Sequence, residues 1–585
     1  MTVTAGRPSG PSEDVDPPEG RPEHTSPDPA PPLGRGFFWW GLGAYLTVTA
    51  ALLAASLRVT GGRLVYLIDD PAIHLSLAST LAESGTWGVN PGEFQSASSA
   101  PVWTVLLALV VLVAPFAATA APLVFNAAAS VGLIAVLGAD QRFLRPGRDR
   151  PLDGPAVAAI VVVVLMLPAL TMLGMEHVLH MLLCVAVLVL LWPPSPQTDR
   201  RALAAYVLLG VATLVRFETV FLAIGIAVAA LVVRTDGDDQ PFLVRARRAA
   251  AASAAAGVPA VAFALFNRLM GQGWLPNSVL AKSPVTSGDS TTSAALVDVL
   301  GRFTTDPMLA GLGIAVLVAL IVGWRRCRYQ FVAVALLVTI ALHVGVAAIG
   351  WYDRYQGYLI ALAVLVLLRV GAESPLAPEV SEASEASEAG ASDPPRRVLR
   401  PAVLVLALLL LGATKAELTW NVPRGVADTY QQRYQAGVFL DTYYPDDSIA
   451  TGELGYISLL HDGPITDLYG LADFEVLEQR RAGGERVDPD FWRELVAARD
   501  IEVVAMYPTT LFLDTPQEWI LVGTWTLEHS VMTAYHEDFQ FWATRPEAVD
   551  PLQQHLAEFA DELPDGVELH LDGFADLRAG ELSGD

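Results

Sequence analysis

At 585 residues, 53% of them hydrophobic and only 17% charged, with a mean hydropathy of +0.42, the chain is too apolar for an ordinary soluble protein. A net charge of −25 excludes a nucleic-acid binder, which needs basic patches to neutralise phosphates. Two cysteines, Cys184 and Cys327, lie far apart in sequence and environment and supply neither a disulfide frame nor a cysteine metal site.

Residues 1–35, rich in Pro, Glu, Asp and Ser, cannot bury a core and read as a disordered cytoplasmic tail. They carry no basic n-region or small-residue cleavage site, so Phe37–Leu57 is expected to be an uncleaved first span. Leu67-Ile68-Asp69-Asp70-Pro71-Ala72-Ile73-His74 follows, placing two adjacent carboxylates where a crossing helix emerges into water. Asn90-Pro91-Gly92-Glu93 comes next, then Ala100-Pro101-Val102-Trp103 re-enters the apolar phase. Further spans read as Pro122–Leu137, Ala156–Leu170, His177–Leu191, Ala202–Val215, Thr219–Val233, Ala249–Phe266, Met308–Trp324, Phe331–Ile349, Tyr355–Leu368 and Val403–Ala413.

Positive loops stay in the cytoplasm. The Arg-rich loops at Arg142–Arg150, Arg200/Arg201, Arg234–Arg248, Arg325–Arg328 and Arg396–Arg400 alternate correctly if Val102–Ala117 does not cross but lies at the outer surface or re-enters. The expected topology is then about eleven crossings, N-terminus inside and C-terminus outside. On that topology Asp69-Asp70, Gly174-Met175-Glu176-His177, Arg216-Phe217-Glu218, Pro276–Lys282 and Trp351-Tyr352-Asp353-Arg354 share the outer side, as the parts of an external active site would.

The expected organisation is a transmembrane catalytic module over 36–370, a low-complexity cytoplasmic linker over 371–400, a last transmembrane helix over 401–416, and an extracytoplasmic α/β domain over 417–585. In that domain β-like runs at Ser448–Thr451, Ile501–Met506 and Trp519–Gly523 alternate with helical stretches at Asp490–Arg499 and Pro551–Leu563.

The polar clusters carry the candidate chemistry. Asp70 followed by Pro71 reads as a helix cap, which leaves Asp69 as general base at a boundary where desolvation raises a carboxyl pKa. Glu176, Arg216 and Glu218 sit at span ends, where charges pair structurally or line a polar site. Lys282, one of two lysines, is either a phosphate clamp or an interfacial anchor, and Arg354 faces the same choice. His74, His177 and His180 form no metal motif. A divalent cation shared by Asp69, Asp70 and Glu176 is left open, although no dedicated loop supports one.

Taken in order, the Asp-Asp pair, Asn-Pro-Gly-Glu, Pro-x-Trp, Gly-Met-Glu, Arg-x-Glu and Pro-Asn-x-x-x-x-Lys resemble the GT-C superfamily of polytopic glycosyltransferases. The nearest branch is that of the terminal arabinofuranosyltransferase of the mycobacterial cell wall. The resemblance covers about residues 37 to 370, with Gly455-Tyr456 and Ile465–Leu471 as a further shared segment. The chain departs from the family at Pro71–His74, at Ser98–Trp103 and at Phe217, which stands where that family carries Pro. The resemblance implies a GT-C-like polytopic α-helical fold in the cytoplasmic membrane and transfer of a sugar, arabinofuranose or a hexose, from a polyprenyl-phosphate donor to a cell-envelope glycan or glycolipid on the outer face. It places the catalytic Asp in the first external loop, at Asp69 or Asp70. His74, Glu176, His177, Arg216, Glu218, Asn277, Lys282, Asp353 and Arg354 are the expected donor and acceptor contacts. The rival classes are a transporter or flippase of lipid-linked sugars, in which internal repeats and broken helices are expected, and a non-catalytic membrane scaffold.

Overall fold

The computed structural model describes residues 34–139, 153–192, 199–234, 241–282, 327–350, 352–373, 412–483, 487–511, 515–529 and 531–571, together with positions 301, 311, 313, 316 and 317. Most of the expected spans Met308–Trp324 and Val403–Ala413, the Arg142–Arg150 loop and the linker beyond residue 373 lie outside the described residues.

Among the described residues four helices are long and apolar enough to cross a bilayer: Gly36–Val59, Pro115–Ala139, Pro155–Leu173 and Phe242–Leu269. The shorter apolar helices are Pro101–Val113, His177–Leu191, Thr219–Val232, Gln330–Val346 and Gly357–Leu368. A hydrocarbon layer admits backbone only where its polar groups pair internally, which is why these apolar runs are helical. Many large side chains on them, such as Leu112, Val124, Val261 and Leu269, are exposed, as lipid-facing positions require. The chain is thus a polytopic helical membrane protein. Within the bundle, Thr219–Val232 packs between Cys327–Val346 and Phe242–Leu269, and His177–Leu191 packs against Asp199–Val215 and Gly357–Glu373.

The C-terminal segment builds a six-stranded sheet: β1 Ile449–Thr451, β2 Ile465–Asp467, β3 Val503–Met506, β4 Ile520–Leu527, β5 Asp538–Ala543 and β6 Val567–Leu571, in the order β2-β1-β3-β5-β4-β6. β1 is parallel to β2 and β3, with Ile449 opposite both Ile465 and Val503. The other pairings are antiparallel. The parallel strands are buried throughout, and β3 is apolar along its whole length. In β5 burial alternates, so Phe539, Phe541 and Ala543 point into the core. One sheet face packs on Trp492, Leu495 and Trp519.

The other face explains how the chain joins its two halves. Its core unites Phe439, Trp525, Phe541 and Phe559 with Ile73, Leu77, Val89 and Ala97 from the first loop. The loop helix Asp70–Ser84 packs against the helix Leu454–Leu460 on one side and Pro101–Val113 on another. Asn90 extends this joint at the sheet edge. Its amide nitrogen donates to the Ile465 carbonyl at 2.9 Å and its oxygen accepts from the Ile465 N–H at 3.0 Å, as a neighbouring strand would. The Asn-Pro-Gly-Glu motif is therefore a docking device.

Candidate active site

The Asp pair divides its labour. Asp69 holds the N-cap position of Asp70–Ser84 but makes no side-chain bond to that helix. Its oxygens instead accept the N–H of Gly455 at 2.6 Å and of Tyr456 at 2.8 Å. The expectation that Asp70 caps is corrected on this point: the cap position is Asp69, and its carboxylate serves the helix 454–460. A Cβ at Gly455 would lie 2.4 Å from the Asp69 carboxyl carbon, so only glycine admits the contact. Burial pushes the Asp69 carboxyl up, opposed by Arg433 and by the two N–H donors.

Asp70, the next residue, is 23% exposed and accepts from Arg354 Nη1 at 2.6 Å. Arg354 also donates from Nη2 to the Tyr355 hydroxyl at 2.7 Å, while its buried Nε has no hydrogen-bond partner among the described residues. The turn that delivers Arg354 is conformationally costly, because Tyr352 and Asp353 both adopt left-handed φ, 60° and 57°. Asp353 is held there by Lys415, from the helical segment that leads into the C-terminal module, and by Gln356 at 3.0 Å. Asp353 is accordingly a support for this turn.

Arg216 is the hub of a buried ion cluster. Its Nη1 donates to Glu176 at 2.6 Å and lies 3.0 Å from His177 Nε2, its Nε donates to Glu218 at 3.1 Å, and its Nη2 pairs with the other Glu218 oxygen. With all three nitrogens engaged, Arg216 orders neighbours rather than presenting open donors. Because His177 Nε2 accepts, its proton resides on Nδ1, which is buried without a hydrogen-bond partner among the described residues. His74 joins the cluster, with Nδ1 beside Thr104 at 3.2 Å and Nε2 4.0 Å from Glu176. Gly174, at φ +76°, brings the Glu176 turn so close to Tyr66 that a Cβ would lie 2.4 Å from its ring.

Asn277 anchors the Pro276–Lys282 segment through its N–H to the Ser96 carbonyl at 3.0 Å, and Ser278 Oγ beside it is buried without a hydrogen-bond partner among the described residues. Lys282 ends the helix Asn277–Lys282, and its side chain lies outside the described residues. Asp69 and Glu176 point to different partners, and no metal-holding group of three His, Cys, Asp or Glu occurs among the described residues.

These residues border two adjoining cavities. One, of about 270 Å³, is lined by Phe217, Phe221, Leu275 and Val279 together with His177, Ser278 and Arg354. The other, of about 280 Å³, lies against the C-terminal module, at Arg433, Glu453, Tyr469 and Tyr535. Asp70, Ile73, Arg354 and Tyr355 line both.

Sequence reasoning missed Arg433, Glu453 and Tyr535 of the second cavity. Arg433 Nε donates to Glu453 at 2.5 Å, and its guanidinium also lies over the rings of Tyr507 and Tyr535. Burial pushes the Glu453 carboxyl up to about 7, against the pull of Arg433. The signal available in the sequence was the position of Glu453, two residues before the Gly455-Tyr456 motif. A raised carboxyl pKa means the folded state keeps its proton to higher pH than the unfolded chain does, so this group's contribution to stability falls as pH rises from about 4.5 to about 7. The melting temperature of the wild type minus that of Glu453→Gln is therefore expected to drop across that window; a flat difference would remove the perturbed carboxyl.

The segment 422–543, less than half of the chain, matches the family model described as a domain of unknown function (DUF8728). No curated protein matches the chain. ArnT from Cupriavidus metallidurans, solved in the apo state and bound to undecaprenyl phosphate, is similar at 14% identity and a TM-score of 0.48, over 87% of this chain and 99% of that one. An Archaeoglobus fulgidus oligosaccharyltransferase tethered with an acceptor peptide is similar at 13% identity and a TM-score of 0.45, over 84% of this chain and 74% of that one. Likenesses of that size transfer neither activity nor substrate to this chain.

Proposed function

We propose that the chain is a GT-C-type inverting glycosyltransferase that moves an arabinofuranose or hexose from a polyprenyl-phosphate donor to a cell-envelope glycan or glycolipid on the outer face of the cytoplasmic membrane. The observation that carries this reading is the Asp70–Arg354 pair on the wall shared by an apolar cavity and a polar one. An isoprenoid phosphate needs apolar side chains beside hydrogen-bond donors, and the first cavity has both. Three residues that line it carry buried donors without hydrogen-bond partners among the described residues: Arg354 Nε, His177 Nδ1 and Ser278 Oγ. Each such group costs free energy until a ligand satisfies it.

In this reading Asp70, not Asp69, takes the proton of the acceptor hydroxyl, because Asp69 is committed to Gly455 and Tyr456. The hydroxyl oxygen attacks the anomeric carbon from the face opposite the phosphate. The new C–O bond forms as the anomeric C–O(phosphate) bond breaks, inverting the centre, and polyprenyl phosphate leaves with the bonding electron pair. A phosphate diester needs no protonation to depart, so the protein's task is charge stabilisation. Arg354 does this while its Nη1 holds the base, and Lys282 remains a candidate second cation. Glu176, Glu218 and Arg216 fix His177, and His74 steadies Glu176.

The test is turnover by the full-length protein in lipid nanodiscs, supplied with decaprenyl-phosphate arabinofuranose, mannose or glucose and an envelope glycan extract. Release of decaprenyl phosphate coupled to a new glycosidic bond is expected with one donor. Vectorial movement of donor without bond formation would overturn the proposal in favour of a transporter, and inertness toward all donors would overturn it in favour of a scaffold.

A further inference from the structure

We infer that the C-terminal module builds the acceptor subsite, in which Tyr535 and Tyr469 offer ring faces to a glycosyl residue and Glu453 accepts its hydroxyls. The inference rests on the transferase reading above and names the class of ligand that the polar cavity takes: a sugar ring of a glycan or glycolipid.

The cavity of about 280 Å³ is near the lower end of small-molecule sites, ~300 Å³, which suits one monosaccharide unit with the rest of a glycan outside. A sugar ring has C–H faces and a rim of hydroxyls, so its receptor needs aromatic faces and fixed acceptors. Tyr535 is 60% exposed, unusual for a large ring beside a packed core, and it is backed by Tyr507 with ring centroids 6.0 Å apart. Tyr469 is stiffened by the Arg480 guanidinium, 4.6 Å from its ring centroid. Its backbone N–H is tied to Asp467 at 2.8 Å. Glu453 is buried and cannot wander, because Arg433 grips one oxygen and itself donates to the Thr533 carbonyl at 3.1 Å.

Register makes the arrangement purposeful. Glu453 is two residues from Gly455, and Gly455 is bonded to Asp69, the neighbour of Asp70. One short chain of covalent and hydrogen bonds thus fixes the proposed acceptor wall relative to the proposed base. A structural ion pair alone would not need an exposed aromatic ring on the rim of a cavity that the base also lines.

The experiment uses full-length protein in nanodiscs, with octyl arabinofuranoside, octyl mannoside and octyl glucoside as probes read by saturation-transfer NMR. Decaprenyl phosphate is read separately by native mass spectrometry. Wild type is expected to bind at least one glycoside. Tyr535→Ala and Glu453→Gln should each weaken it by about tenfold, the factor that ~1.4 kcal/mol represents, and Tyr535→Phe should restore it, with decaprenyl phosphate binding unchanged throughout. Because Tyr535 is exposed, its replacement tests the subsite even where Glu453→Gln unfolds the module. Glycoside affinity equal to wild type in Tyr535→Ala, parallel loss of both ligands, or no glycoside bound by wild type would overturn the inference. Failure of the transferase reading is a separate result: glycoside binding that depends on Tyr535 in a protein that never consumes donor.

Discussion

Asp70→Asn is expected to lower sugar transfer by roughly 10²–10⁴-fold, the range of general-base loss, with the fold intact. Asparagine keeps the size of the side chain and one oxygen for Arg354, so the 2.6 Å contact at the cavity wall has a neutral substitute. What it removes is proton acceptance and the charge opposite the guanidinium. Arg354 then retains its bond to the Tyr355 hydroxyl and its place beside the apolar cavity, so donor binding should hold or tighten while turnover collapses. A fall in kcat with KM for the donor held constant or lowered is the signature of a group that works in the transition state. Donor affinity is to be measured alongside, by native mass spectrometry with decaprenyl phosphate. Near-wild-type turnover in Asp70→Asn would remove Asp70 as base, and with it the mechanism in which its neighbour is only a tether.

The sequence made the charged clusters visible for an energetic reason. A charge near the bilayer centre costs roughly 2.5–3.5 kcal/mol on insertion scales, so Glu176, Arg216 and Glu218 stand out against apolar runs. They do meet in the structure, in one ion cluster around Arg216. Arg354 likewise meets Asp70 of the Asp pair across 284 residues of sequence. The strands read near 449, 503 and 520 also exist, because β-branched runs bounded by turn residues leave a local imprint.

Other features had no such imprint. Which of two adjacent aspartates is tied down and which pairs with Arg354 depends on what packs against the loop, and the tether, Gly455-Tyr456, is distant in sequence. Asn90 looks like turn chemistry, yet its carboxamide completes the edge of β2. Arg433 and Glu453 sit in sequence of ordinary polarity, where a carboxylate and a guanidinium raise no alarm until burial pairs them. Lys415 offered a faint clue as one of two lysines in the chain, and it holds Asp353. Contrast with an apolar background reveals polar groups in the bundle; in the C-terminal module that contrast is absent.

The joint between Asp69 and the helix 454–460 supplies the second large expected effect. Asp69→Asn keeps one acceptor oxygen but turns an NH₂ group toward a backbone N–H that previously donated to the carboxylate. One buried donor is then unsatisfied, a cost of about 1–3 kcal/mol. Gly455→Ala is the harsher change. Its Cβ would lie 2.2 Å from the Asp69 carbonyl oxygen and 2.5 Å from a carboxylate oxygen, so the loop and the module must separate or distort. Both variants should lose hydrogen-exchange protection at the amides of 454–460 and become more sensitive to proteolysis at the joint, Gly455→Ala more so. Activity should decline in step with protection, since the proposed acceptor wall is displaced from Asp70 as the joint opens. Asp70→Asn provides the contrast, losing activity with protection unchanged. If instead Asp69→Asn lost activity by the full general-base factor while 454–460 stayed protected, Asp69 would be the base after all and its bonds to Gly455 and Tyr456 would be a device for orienting it.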